Sequence, residues 1–283
     1  MGKSPLVSIV MNCYNGEKFL SEAINSIYDQ TYQNWEIIFW DNASTDSSAN
    51  IALTYNDKLK YNKSKSKTSL GRARALAVGE VSGEYLAFLD CDDLWYKKKL
   101  ERQIDKIMNS QDVGIVYCKT NIISDKGEII NKYSTKKPLL EGDIFFNLAK
   151  HDFIPFVSAL VPLKIYHECG GFPDSFENST DYYLFLSIAN KYKVLAIQEP
   201  YCDYRLHSNN LSHQQSIICA LEDIKVVSNF LPDLRAKNAL SYQYVNLAAK
   251  YLKEGSFVKC IKTMVKNGNW LILMSRLLKR FIR

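Results

Sequence analysis

The amino-acid sequence predicts an α/β fold, a mostly parallel mixed sheet flanked by helices, with a helical C-terminal extension. Three observations predict it. Short apolar runs at residues 6–11, 35–40 and 85–89 each end in a polar loop. The stretches between them repeat apolar residues at helical spacing, which is the pattern of parallel strands joined by helical crossovers. Beyond about residue 210 the pattern turns helical and stays so to the end. With 283 residues, 47% of them hydrophobic, the chain has material for one large domain over residues 1–210 and a smaller region over 211–283.

Taken in order, Leu-Val-Ser-Ile-Val-Met at 6–11 reads as a buried first strand, closed by Asn12, Cys13, Tyr14, Asn15 and Gly16. Phe19, Leu20, Ala23, Ile24, Ile27 and Tyr28 then share one helical face. The second strand, at 35–40, runs into Asp41, and Ser44 or Asp46 is placed to cap a helix over 47–56. A short strand at 59–62 leads into a lysine-rich loop at 63–69, and a helix over 71–80 carries Arg72 and Arg74 near its start. The strand at 85–89 follows. Downstream the pattern gives a helix through Leu100, Ile104 and Ile107, a strand at 113–118, a hairpin about Gly127, a helix at 142–150 and a strand at 156–161. Ser179 or Thr180 is placed to cap a further helix, which puts Asp181 in its first turn, and a late strand covers 201–206.

The formal charge of +6 is unevenly spread: residues 215–283 hold 12 Lys or Arg against 4 Asp or Glu. The folded region that would have to read a nucleic acid is therefore slightly acidic, and no nucleic-acid motif accompanies the basic tail, so a nucleic-acid partner is not expected. The seven Cys form no C-x-x-C pair, which suggests reduced thiols and neither a zinc site nor a disulfide framework. No run of about 18 apolar residues and no signal-like start are found, so a cytoplasmic location is expected.

Asp90, Asp92 and Asp93 crowd at the end of the strand at 85–89. Like charges packed so closely require a cation, hydrogen-bond donors or water. Hard oxygen ligands of this kind suit Mg²⁺ or Mn²⁺, particularly when a diphosphate completes the coordination shell. The plainer alternative is a solvated turn whose acids favour the start of the next helix. In sheets of this class ligands sit outside the carboxyl ends of the strands, so Tyr14, Asp41 and the 90–93 cluster should converge on one crevice.

These residues resemble the family 2 glycosyltransferases, nucleotide-sugar-dependent inverting enzymes with the Rossmann-like GT-A fold, over about residues 5–210. Val7-Ser8-Ile9-Val10-Met11-Asn12-Cys13-Tyr14-Asn15 is similar to the opening V-S-I-I-x-P-x-Y-N, with Asn12 in place of Pro. Asp41-Asn42-Ala43-Ser44-Thr45-Asp46 stands for D-D-G-S-T-D, without its second acid and its Gly. Gly71-Arg72-Ala73-Arg74 matches part of G-x-x-x-A-R-N-x-G. Gly83 to Asp93 is close to G-E-Y-I-x-F-L-D-A-D-D, the D-x-D motif and the most specific match. Thr180-Asp181-Tyr182-Tyr183-Leu184 resembles E-D-x-x-L, with Thr for Glu, and Tyr204-Arg205-Leu206-His207 resembles Y-R-x-H.

The resemblance implies that residues of about 1–120 bind the nucleotide-sugar and those of about 121–210 the acceptor. Tyr14 would stack on the base, classically uracil, and Asp41 would accept its N3–H. Arg74 would face the diphosphate, Asp90 the ribose and metal, and Asp92 with His207 would hold Mn²⁺ or Mg²⁺. Asp181 would be the general base toward a hydroxyl of a saccharide or lipid-linked saccharide acceptor, with a UDP-sugar as donor. The alternative is a nucleotide-binding scaffold without turnover, prompted by the substituted motif positions. A dinucleotide-dependent oxidoreductase is disfavoured because no G-x-G-x-x-G follows the first strand. In the tail, Trp270, Leu273, Leu277, Leu278 and Phe281 alternate with Arg276, Lys279, Arg280 and Arg283. Such a terminus fits peripheral contact with an anionic membrane, or packing on the catalytic domain or a second subunit as a homodimer.

Overall fold

The computed structural model describes residues 4–132, 137–208, 210 and 215–266. Met1–Ile144 and Ile154–His207 form one compact unit, while Phe145–Phe153 and Ser208–Arg283 form the other. The segment Phe145–Phe153 thus groups with the C-terminal helices. The apolar and cationic stretch at 270–283 lies outside the described residues.

In the first unit β1 (Val7–Cys13) is followed by α1 (Glu17–Tyr28), β2 (Trp35–Asp41), α2 (Ser48–Ala52), β3 (Leu59–Lys63), α3 (Leu70–Val78) and β4 (Tyr85–Phe88). Then come β5 (Leu94–Trp95), α4 (Lys99–Met108), β6 (Val113–Ile123), β7 (Ile129–Lys132), β8 (Leu160–Pro162), α6 (Leu163–Glu168), α7 (Thr180–Ala189) and β9 (Lys193–Arg205). One sheet holds them in the order β3-β2-β1-β4-β8-β6-β9-β5, with β7 paired to β6. The β3-β2-β1-β4 portion is parallel, and β8 enters antiparallel between β4 and β6. β1 and β2 read as nearly continuous apolar runs because both faces are covered, and their core residues are buried.

Two buried polar residues of these strands, Ser8 and Glu36, share one network. Ser8 Oγ donates to Glu36 Oε1 at 2.6 Å and accepts from Gly83 N, while Lys60 Nζ pairs with Glu36 Oε2 at 2.6 Å. This network closes the sheet at the end away from the carboxyl-terminal loops.

Several elements differ from the sequence expectation. The strand expected at 156–161 opens instead as a 3-10 turn at Phe156–Ser158, since both the N–H and the hydroxyl of Ser158 bond back to the Pro155 carbonyl. The expected helix at 47–56 is confined to Ser48–Ala52, and α6 is a helix the pattern did not suggest. β9 begins at Lys193, not 201. Its pairing with β6 shifts register on either side of Lys119, which faces Pro200, so the strand's alternation is broken in the sequence although the strand continues.

A close approach at Gly71 brings α3 to the loop that precedes α7. A Cβ there would lie 2.0 Å from the Pro173 carbonyl oxygen. Backbone cannot yield as a flexible side chain can, so Gly71→Ala is expected to cost about 2 kcal/mol or more. The same push would draw Arg74 away from α7. A thermal melt alongside a turnover assay should show both losses; a variant melting like wild type would mean the approach is not maintained in solution.

The second unit comprises α5 (Phe145–Lys150), α8 (Ser216–Ser228), α9 (Leu234–Lys253) and α10 (Phe257–Lys266). Gln243 on α9 donates to the Ala149 carbonyl at the end of α5, and α8 packs on α9 through Ala220, Ile224 and Leu247. Among the described residues no helix is long and apolar enough to cross a membrane.

Candidate active site

The loops after β1 and β2 are stitched together by hydrogen bonds. Asn15, in the left-handed region at φ 55, donates its N–H to Ser44 Oγ and accepts from Thr45 N on its own side chain. Gly16 N reaches Ser48 Oγ, and Glu17 N reaches Asp46 Oδ2. Ala43 adopts φ 64, the conformation that the Gly of D-D-G-S-T-D would take without strain, so the loop keeps that turn despite the substitution. Asn42 also has a physical reason to replace an acid. Its Oδ1 accepts from the Thr68 N–H and hydroxyl while its Nδ2 donates to the Thr68 carbonyl, each at 3.0 Å, and a carboxylate could not supply that donor. The lysine-rich loop is therefore pinned at Thr68, and Lys67 rests with Nζ 3.7 Å over the Tyr14 ring.

Tyr14 is exposed, whereas Asp41 is fully buried. Ser44 N donates to Asp41 Oδ1 at 2.6 Å and Tyr61 OH to Oδ2 at 2.7 Å, with Lys63 Nζ 3.6 Å away. Desolvation, reinforced by the Asp41 carboxylate, drives the Tyr61 hydroxyl well above its ordinary pKa.

Arg74 is the centre of the next group. Its guanidinium is buried on the Phe156 ring at 3.6 Å, with Nη1 2.7 Å from Thr180 Oγ1 and 3.8 Å from Asp181 Oδ1, and Nη2 3.4 Å from Asp90 Oδ1. One cation thus joins the β4 loop to the first turn of α7. Thr180, standing where the motif has Glu, accepts from Arg74 without adding charge. Desolvation pushes the Asp90 carboxyl up to about 6, against the pull of Arg74 and assisted by Asp92 and Asp181 nearby. Desolvation likewise raises Asp181, again opposed by Arg74.

Asp92 Oδ2 lies 2.8 Å from His207 Nε2, and both side chains keep some solvent contact, at 27% and 15% exposure. Asp93 points inward and is buried, where it accepts from Arg205 N at 2.8 Å; burial and its acidic neighbours hold its carboxyl well above the usual range. Arg205 has partners that the sequence did not show. Its Nε donates to the Asp92 carbonyl, its Nη2 meets Glu22 Oε2 at 2.8 Å, and its guanidinium stacks on Phe19 at 4.4 Å. It clamps the acidic loop to α1. The Y-R-x-H motif pointed to this position, but no feature of the sequence pointed to Glu22.

The structure therefore brings Asp90, Arg74 and Asp181 together, sets Asp92 against His207, and joins the Tyr14 loop to the Asp41 loop, where Asn42 N donates to the Cys13 carbonyl. No cluster of three or more His, Cys, Asp or Glu side chains is arranged to hold a metal among the described residues. The Asp92 and His207 pair offers one oxygen and one imidazole nitrogen at a solvent-facing position. That donor set fits Mn²⁺, which takes imidazole readily, with the remaining positions left to water or diphosphate oxygens; it fits Mg²⁺ less well.

The sequence profile of glycosyl transferase family 2 matches residues 8–163. The chain is 30% identical over 274 residues to an uncharacterized glycosyltransferase of Rickettsia typhi, covering 90% of this chain and 82% of that protein. It is also 30% identical to WfgD of Escherichia coli, a UDP-Glc:alpha-D-GlcNAc-diphosphoundecaprenol beta-1,3-glucosyltransferase, covering 73% of this chain and 79% of that protein. Among solved structures, S. aureus TarS 1–349 in complex with UDP-GlcNAc superposes with a TM-score of 0.67 at 16% identity, over 92% of this chain and 81% of that one. The mannosyltransferase PcManGT from Pyrobaculum calidifontis, in complex with GDP-Man and Mn²⁺, superposes with a TM-score of 0.65 at 18% identity, over 98% and 86%. At these identities the structural likeness speaks for the fold, and the expected GT-A architecture holds.

Proposed function

This chain belongs to glycosyl transferase family 2, and from that premise we propose that it inverts configuration while moving a sugar from a UDP-sugar to a hydroxyl of a saccharide or lipid-linked saccharide. One observation carries the reading: the buried Arg74 guanidinium reaches Asp90 at 3.4 Å on one side and Asp181 at 3.8 Å on the other. A base and a diphosphate-facing cation are thereby held in one place. The name of the E. coli relative supports both the uridine donor and the lipid-linked acceptor. Since nucleotide-sugars are cytoplasmic metabolites, we place the activity on that side of the membrane.

Inverting transfer needs two things at once: a base for the incoming hydroxyl and neutralisation of the departing diphosphate. Asp181 takes the proton. Its raised pKa makes it a stronger base than a surface carboxylate, and Arg74 opposes that rise and so helps keep it ionised at rest. Asp92 and His207 would hold Mn²⁺, which when bound draws charge from the leaving diphosphate. Arg205 fixes the main chain of that loop through the Asp92 carbonyl. Tyr14 offers its ring to the base once Lys67 moves aside. Asp41 faces the base N3–H with the lone pairs that Ser44 and Tyr61 leave unused, and because it is buried the neighbouring side chains must part for that contact.

The test is a thermal-shift series with UDP, GDP and dTDP, each with and without Mn²⁺. UDP with Mn²⁺ is expected to raise the melting temperature most, and Asp92→Ala to remove the Mn²⁺-dependent part of that shift together with Mn²⁺-stimulated hydrolysis of the UDP-sugar. A wild-type protein unmoved by every nucleotide would overturn the proposal.

A further inference from the structure

The helix α10 has three distinct sides. Cys260 and Met264 turn toward α9, where Val245, Ala248, Tyr251 and Leu252 receive them. On another side Phe257, Val258, Ile261 and Val265 are 63%, 66%, 58% and 70% exposed, an apolar stripe at spacings of three and four residues that nothing among the described residues covers. Lys262 borders it, and Lys259, also exposed, stands one step further round with its Nζ 5.7 Å over the Tyr251 ring. From Gly255 to Arg283 the sequence has seven Lys or Arg and no Asp or Glu.

We propose that this outer face of α10 docks on an anionic lipid bilayer, with Phe257, Val258, Ile261 and Val265 entering the acyl boundary and Lys259 and Lys262 meeting lipid headgroups. Charge decides between occupants. A second copy packed on the same stripe would bring lysines against lysines with no acid on the helix to pair them, and so would the arginine-rich 267–283 segment folded back. A surface of phosphate headgroups supplies the missing negative charge, and the long lysine stems let the ammonium groups stay in the headgroup layer while the stripe goes deeper. The site is separate from the donor chemistry, so either reading can fail without the other.

The full chain is floated with vesicles of phosphatidylcholine alone or with about a third phosphatidylglycerol, at low and high salt, and UDP binding is measured on the same samples. Binding is expected only to the anionic vesicles, and weaker at high salt. Ile261→Glu with Val265→Glu is expected to lower partitioning at least about tenfold, and Lys259→Glu with Lys262→Glu to remove the preference for anionic lipid. Both changes leave Cys260 and Met264 themselves in place, Lys259→Glu giving up the ammonium over the Tyr251 ring, and circular dichroism verifies the fold. Wild type that stays with buffer, or apolar-face variants that float like wild type, overturns the proposal. So does a wild-type dimer that the glutamates split, since it would give the stripe a protein partner.

Discussion

Asp181→Asn is expected to lower kcat for sugar transfer by about 10³-fold while leaving the UDP-induced thermal shift near its wild-type size, because a positioned general base contributes a factor of this order to the chemical step and little to donor affinity. Asparagine keeps the shape and leaves the Arg74 bond to Thr180 in place, but has no basic oxygen. Burial holds the Asp181 carboxyl above the ordinary carboxylate value, against the pull of Arg74. Activity should accordingly be present at neutral pH and fall as pH drops through that raised pKa, putting the acidic limb of kcat/KM above the usual carboxylate range; the residual activity of the Asn variant should lack this limb. Stability carries the opposite sign. A carboxyl whose pKa is higher folded than unfolded binds more protons in the native state, so its ionised form costs stability, increasingly as pH rises through the window between the two values. The Asn variant should therefore melt no lower than wild type at neutral pH. A variant that loses activity only by unfolding would show the reverse, and one that retains turnover would remove Asp181 from the role of base.

The strands and loops that form this site were readable because each is a local pattern: an apolar run followed at once by polar residues, as at Val7–Cys13 and Tyr85–Phe88. Asp181 in the first turn of its helix follows the same logic. The partners of Arg74 were not readable. Thr180 is 106 positions away in the chain, and Asp90 and Asp181 look alike as acids until the fold puts one guanidinium between them. Asp93 shows the limit from the other direction: adjacent to Asp92 and chemically identical, it turns into the protein to meet the Arg205 main chain. Charge clustering in a sequence reports that counter-charges are needed; which carboxylate faces solvent depends on contacts with strands laid down later. Asn42 would pass for a weakened motif, yet the amide is what allows donor and acceptor bonds to Thr68 together.

Arg74→Gln is expected to cost both activity and stability, and the two losses have one cause. The guanidinium is 4% exposed, while Asp90 and Asp181 keep 34% and 20% of their surface, so removing the cation leaves two carboxylates partly desolvated and facing each other. Breaking a fully buried pair costs about 3–5 kcal/mol; with water still reaching the acids, roughly 2 kcal/mol is the expected loss, read as a lower melting temperature. Both carboxyls should then titrate at still higher pH, moving the acidic limb of kcat/KM upward, and kcat/KM at its plateau should fall by about 10²-fold or more because a preorganised donor has gone. Arg74→Lys separates charge from shape. An ammonium restores much of the pH profile, but a point charge cannot span Thr180, Asp181 and Asp90 or stack flat on Phe156, so the rate should remain low. Combining Arg74→Gln with Asp181→Asn completes the argument. If the guanidinium acts partly by holding Asp181 ionised and in place, the double variant should lose much less than the product of the two single losses, because the second change removes the charge the first left exposed. Fully multiplicative losses would mean that Arg74 and Asp181 act separately, and the base would then owe its position to α7 alone.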